Sequence, residues 1–582
     1  MHTWNVGLIA MAITTVFLAL AQNLIAESPS DDANAAVDAL YAGYIAEYEP
    51  LFIQQRRAWW DASITGTDEA FNRRRDAEQR ILKLHGNRET FARIRELRDG
   101  GKVTDPVRRR ILDAMYLEFL PAQGDPERAK RIVDLESRAE QIFNLHRSPI
   151  DGREHTENDI RGILTETSDS KAAEKAWKAY MEVGAKVDST LRELVRLRNE
   201  TARELGFPNF FALTLATQEI DEAELLRLFD ELDTLTREPF ARFKKEFDAQ
   251  RAARFGITAD ELRPWHFGDL FFQEVPAAGR GVDLDSLLAD KDLVALARLY
   301  YLSIGMPVED VLARSDLFEK AGKSPHAYCT DMDRAGDIRI FCNLAPNLMS
   351  LDTLLHELGH AVYDKYLDPE LPFVLRQAAS PITTEGIALL LGSMAKNGEF
   401  LEKIVGVPPE QAKVVAQAVR QTLRDEKLVF SRWAQVMVRF EHGMYSNPDQ
   451  DLGKLWWGLK QKYQLLNPPD DPSRPDYGAK NHIVAAPVYY HSYMMGDLFS
   501  AQLQEHLARR VLNVSDPMAT SFVGHTEVAA VMREKVFAPG RRETWNSLTR
   551  LATGEPLSAR AFVKLYLEPQ QQTGGGNEPR IP

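Results

Sequence analysis

The stretch Asp125–Arg147, DPERAKRIVDLESRAEQIFNLHR, places Ile132, Leu135, Ala139, Ile142 and Phe143 at helical spacing. Apolar residues recurring every three or four positions form one buried stripe, with charged residues turned to water. The same period recurs outward from this stretch. Ser168–Gly206 is a long polar–apolar pattern, one helix or two, closing at Gly206-Phe207-Pro208. Asp221–Gly256 is another, again stopped by glycine. The fold class expected is mainly α, and the many surface Glu, Arg and Lys read as solvated helix faces.

One segment departs from this pattern. Tyr328–Leu344, YCTDMDRAGDIRIFCNL, alternates Ile338 and Ile340 against Arg339 around a turn at Arg334-Ala335-Gly336-Asp337. It predicts a short β-hairpin whose arms carry Cys329 and Cys342, the only two cysteines. An even count at this spacing in an exported chain suggests a disulfide. Such a hairpin also offers an edge strand to which a peptide can add by main-chain hydrogen bonds.

The chain has 582 residues, 44% hydrophobic, with net charge −14. An acidic surface repels phosphate backbones, so nucleic acid is not an expected partner. Residues 1–26 contain no Lys, Arg, Asp or Glu, and Val6–Ala21 is an apolar run ending in Ala19-Leu20-Ala21. This reads as a signal peptide cleaved near residue 21 or 26, giving a secreted or periplasmic protein with no stable membrane insertion of the mature chain. Residues 27–569 then form a single catalytic domain, and 570–582 (QQQTGGGNEPRIP) a disordered tail.

The chemistry is concentrated in Leu354–Val362, LLHELGHAV. His356 and His360, four apart, project from one face of a helix and can share a zinc ion. Glu357 is then placed to take a proton from the attacking water. Hydrolytic zinc sites take three protein ligands, and Glu385, 25 positions after His360, is the candidate third. It opens an apolar run where a carboxylate needs a partner. A third cluster, KNHIVAAPVYYHSY (480–493), gathers Lys480, His482, Tyr489, Tyr490, His491 and Tyr493, donors of the kind an oxyanion requires.

In order, these motifs resemble the angiotensin-converting-enzyme family of zinc peptidyl-dipeptidases, and more distantly the thimet oligopeptidases. WKAYMEVGAKVDSTLRELVRLRNETARELGF (177–207) is similar to the family's Trp-rich helix and LRN-like segment, and WHFGDLFFQ (265–273) to its GDMWAQ stretch. The two-cysteine hairpin before HELGH, and DYGAKNHIVAAP (476–487) against GAKFHISAFTP, complete the match. The resemblance implies a two-lobed helical fold around a deep channel, with Zn2+ on His356, His360 and Glu385 and with Glu357 as base. It assigns His482 and Tyr493 to the oxyanion, and Gln273, Lys480 and Tyr489 to the substrate's C-terminal carboxylate. Tyr490 and His491 stay open alternatives, because this chain has one extra residue between His482 and Tyr493. Two departures stand out. Ser492 replaces a chloride-binding arginine, and Leu389 replaces an aspartate that braces the first histidine, a role open to Asp352, Thr384 or a backbone carbonyl.

The expected activity is release of C-terminal dipeptides from peptide substrates by a monomer. A thimet-like oligoendopeptidase is the alternative enzyme. A catalytically inactive peptide-binding protein is the alternative of another class.

Overall fold

The computed structural model describes residues 29–275 and 285–568, so the expected leader and tail lie outside the described residues. Helices dominate, and the mainly α fold class holds. In chain order, α1 (Pro29–Thr65) and three further helices, Asp68–His85, Arg88–Asp99 and Pro106–Phe119, precede α2 (Pro126–Leu145), the helix read from the opening stretch. Asp125 caps α2 by accepting from Glu127 and Arg128 N–H, and Pro126 occupies its first turn, where a missing N–H costs nothing. Leu135 and Ala139 are buried, with Ile132, Ile142 and Phe143 packed against the core.

A hairpin that the sequence reading missed comes next, β1 (Ser148–Ile150) with β2 (Arg153–His155). Its signal was present in Asp151-Gly152, both at positive φ (51° and 77°), as a two-residue hairpin turn demands. Then come α3 (Ser170–Glu204), one continuous helix where one or two were expected, and α4 (Glu222–Phe255), which ends at left-handed Gly256.

The expected second hairpin is β3 (Tyr328–Asp331) with β4 (Ile338–Phe341), pairing Tyr328 with Phe341 and Cys329 with Ile340. Its turn uses Arg334 at φ 52° and Gly336 at φ 110°, with Asp331 accepting from Asp333 and Arg334 N–H. The disulfide expectation is corrected, because both cysteines are free thiols. Cys329 lies opposite Ile340, so Cys342 is its diagonal neighbour. Diagonal residues across a sheet stand roughly 7–8 Å apart, beyond the Cα reach of a disulfide.

The remaining helices that build the site are α5 (Leu348–Lys365), α6 (Pro381–Gly392), α7 (Pro409–Ser446) and α8 (Tyr490–His506). The buried apolar side chains gather in one large cluster, which includes β4 and all four of these helices. A smaller cluster joins the helices of residues 33–120 to Leu371–Leu375. Among the described residues no helix is long and apolar enough to cross a membrane.

Candidate metal centre

Helix α5 begins at Asn347, whose side chain accepts from Ser350 N–H. It buries Leu351, Leu354, Leu355, Leu358, Ala361 and Val362 completely. Burying each leucine contributes roughly 1.5–3 kcal/mol, which fixes the rotation of the helix and turns His356 and His360 toward the cavity. Their Nε2 atoms lie 3.2 Å apart, aimed at one point. Helix α6 is capped by Ser380, which accepts from Ile382 N–H, with Pro381 in its first turn. It brings Glu385 Oε2 to 3.7 Å from His356 Nε2. The ligand atoms of His356, His360 and Glu385 all lie within 4.8 Å of one another.

Missing side chains let these helices meet. A Cβ on Gly359 would stand 2.8 Å from Ala388 Cα, so α5 and α6 touch backbone to backbone. A Cβ on Gly386 would strike Phe499 at 2.5 Å, and one on Gly496 would lie 3.3 Å from Glu385 Cβ. Helix α8, which carries Tyr493, is thereby drawn against α6. The glycine of HELGH and that of TEGIA are therefore packing residues of the site.

Thr384 Oγ1 lies 2.7 Å from His360 Nδ1, so it braces the second histidine rather than the first. With Nε2 facing the donor cluster, Nδ1–H donates to the hydroxyl. Asp352, one turn before His356, favours that imidazole's charged form against burial, and itself pairs with Lys396 at 2.8 Å.

Burial decides the protonation states. His360 is pushed down to about 3 by burial and by His356, and His356 is lowered too, so both imidazoles are neutral, the form that binds metal. Glu357, 7% exposed, is pushed up to about 8 by burial and by the charge of Glu385, whose own carboxyl burial raises. Among the described residues no lysine or arginine pairs with either carboxyl. Two neutral imidazoles and a carboxylate converging beside a second unpaired carboxyl are what a dication would complete, and the donor set suits zinc.

Two cavities, of about 850 and 760 Å3, meet at this centre, sharing Glu385, Leu389 and Tyr493. The first is lined by β3, by His356, Glu357 and His360, by Asp331 and Asp364, and by Arg56, Arg334 and Arg376. The second opens toward Gln273 and Glu274. Lys480 Nζ donates to Gln273 Oε1 at 2.6 Å, its only hydrogen bond among the described residues. Burial lowers this ammonium to about 8. Three rings stand around it, Phe271 at 5.3 Å and Trp433 and Tyr490 each at 5.5 Å, and Trp433 Nε1 donates to the Tyr490 hydroxyl at 2.8 Å.

Tyr489 lines the first cavity, edge-on to Tyr493. Helix α8 starts at Tyr490, and the turn before it swings consecutive tyrosines to opposite sides. His491 lines neither cavity, and its Nε2 lies 2.8 Å from Gln218 Oε1. His482 stacks edge-on to Tyr490 and Tyr493, lowered to about 4 by burial and by Lys480. Ser492 is buried, with no partner for its hydroxyl among the described residues.

The family model described as angiotensin-converting enzyme matches residues 31–253 and 285–573. The chain belongs to the angiotensin-converting-enzyme family. The bovine angiotensin-converting enzyme is 22% identical over 588 residues, covering 94% of this chain and 44% of its own length. The rabbit enzyme is 24% identical over 516 residues, covering 82% and 38%. A Caenorhabditis elegans protein named as an inactive angiotensin-converting enzyme-related protein is 20% identical over 450 residues, covering 70% and 49%. The chain thus spans less than half the length of these relatives. This is a peptidase family, and Glu357, His356, His360 and Glu385 are this member's candidate machinery.

Proposed function

We propose that the protein is a zinc-dependent peptidyl-dipeptidase that removes C-terminal dipeptides from peptides. The observation that carries this reading is Lys480, a buried ammonium whose only hydrogen-bond partner among the described residues is the neutral Gln273. A buried cation with a neutral partner favours an anion beside it, and a C-terminal carboxylate supplies one. Tyr490 adds a neutral hydroxyl to the same group.

Zinc at His356, His360 and Glu385 would polarise the scissile carbonyl and acidify water. Glu357 takes the proton from the attacking water and returns it to the leaving amine. Its raised affinity for protons suits a group that exchanges them near neutrality. Tyr493, on the wall shared by the two cavities, donates to the developing oxyanion, with neutral His482 beside it. The substrate's N-terminal part lies along β3. The protein acts as an exported monomer, a single catalytic unit over 27–569. N-terminal sequencing and sedimentation of the exported protein check that.

The test is product mass spectrometry on matched peptides with free and amidated C-termini. Dipeptide release confined to free termini supports the reading, whereas equal cleavage of both would establish an oligoendopeptidase. The inactive relative makes a non-catalytic binder the reading of another class. The intact Glu357 and the three converging donors favour an enzyme.

A further inference from the structure

His482 lies on a single helical turn, His482–Ala485, and Tyr493 on α8, and the two are joined by an irregular turn at 486–489. Val488 in that turn has φ 55°. A β-branched residue rarely adopts this left-handed conformation, which persists only where the surroundings over-determine it. Val488 is 1% exposed, and side chains hold both of its backbone polar groups. Its N–H donates to Glu441 Oε1 at 2.7 Å, and its carbonyl accepts from Gln218 Nε2 at 3.3 Å.

The grip extends to both sides of the turn. Arg198 on α3 donates to the Val484 carbonyl at 3.0 Å and to the Tyr445 hydroxyl at 3.1 Å. Gln218 Oε1 meets His491 Nε2 at 2.8 Å. Glu441 on α7 is 2% exposed, lines neither cavity, and makes no other side-chain hydrogen bond among the described residues. Burial pushes its carboxyl up to about 8, while the bond from Val488 N–H and the nearby Arg198 charge pull it back down, so an uncharged acceptor suits this place near neutral pH.

The sign of φ at residue 488 sets the direction in which the chain enters α8. It thereby decides that Tyr490 faces Lys480 and that Tyr493 reaches the metal centre. We propose that Glu441 is a positioning residue for the reaction, its bond to Val488 N–H holding the turn that aims Tyr493. The inference rests on the reading of Tyr493 as oxyanion donor.

The experiment compares kcat and KM for Glu441→Gln, Glu441→Leu, Tyr493→Phe and the double variant Glu441→Leu/Tyr493→Phe on a blocked peptide with a free C-terminus. Zinc content and thermal unfolding are measured in parallel. Glutamine keeps an uncharged acceptor at the same place and should stay within about threefold of wild type, because the bond to Val488 is retained. Leucine leaves the N–H unsatisfied. A misplacement of about 1 Å can lower kcat by about 10²-fold, and that fall is expected, with KM changed less. Once Tyr493 has lost its hydroxyl, leucine at 441 should cost little more. Equal fractional losses in both backgrounds, or a loss shared by glutamine, overturn the positioning role alone. A Tyr493→Phe enzyme at wild-type rate instead overturns the oxyanion reading beneath it. Should Glu441→Leu fail to fold, Glu441→Asp asks the same question, since its shorter carboxyl is drawn back from Val488 N–H. A lowered kcat with KM and zinc content kept supports the role of the clamp, and a wild-type kcat overturns it.

Discussion

His360 Nδ1 and Thr384 Oγ1 lie 2.7 Å apart, which joins one metal-facing imidazole to the residue just before Glu385. The hydroxyl fixes the tautomer that leaves Nε2 free to ligate. Removing such an outer partner typically costs about 10–100-fold in metal affinity. Thr384→Val, which keeps the shape, should weaken zinc binding by that range in competition titrations with a chelator. Unchanged affinity would mean that the hydroxyl does not orient the ring.

Glu357 is proposed as the base, and the candidate ligand group is His356, His360 and Glu385. Glu357→Gln should keep about one zinc per chain while kcat falls about 10²–10⁴-fold, the usual share of general acid–base catalysis. Metal analysis and steady-state rates on the same preparation check both halves. Chelation of the wild type should abolish turnover, and added zinc should restore it.

Lys480 predicts both a selectivity and a pH limb. Truncating one partner of a buried charge pair costs about 2–5 kcal/mol, so Lys480→Ala should lower kcat/KM on free peptides by tens-fold or more. Amidated peptides should be affected little. Burial lowers the lysine to about 8, so the ammonium that attracts the carboxylate is present below that pH and lost above it. KM for free peptides should therefore rise as pH passes 8, and the limb should vanish in Lys480→Ala. A limb that survives the substitution belongs to another group.

Gly359→Ala tests the packing of the centre. The new methyl would stand 2.8 Å from Ala388 Cα, a backbone atom that cannot rotate away. Overpacking of this kind costs about 1–3 kcal/mol, so the thermal midpoint should drop. Zinc affinity should fall with it, because α6 and its Glu385 are pushed outward. A variant with normal stability and affinity would show that the helices have slack.

The metal donors were legible in the sequence because an i, i+4 pair is a local relationship and Glu385 stands in an apolar run that leaves it no ordinary partner. The helices were legible for the same reason, since periodicity is local. Tyr489 and Tyr490 could not be separated, because one residue of register in a turn, set by the φ of Val488, exchanges their sides. Glu441 and Gln218 gave no signal, and Arg198 entered only as part of the LRN-like segment, with no role. Each looks like a solvated helix residue, and each meets its backbone partner across 47 to 286 positions of chain. The cysteines misled in the other direction, since spacing along the chain does not reveal the diagonal offset between strands.

The contact between Gly359 and Ala388 bears on how portable this centre is. Helices that pack through ordinary side chains run about 8–10 Å apart, and a carboxylate carried at that separation would fall short of the two imidazoles. The distance between the donors is thus written in methyl groups that are not there. Grafting His356, His360 and Glu385 onto another helix pair would copy the ligands and leave the gauge behind. A transplant that works must carry the bare backbone at Gly359 and Gly386 along with the three side chains.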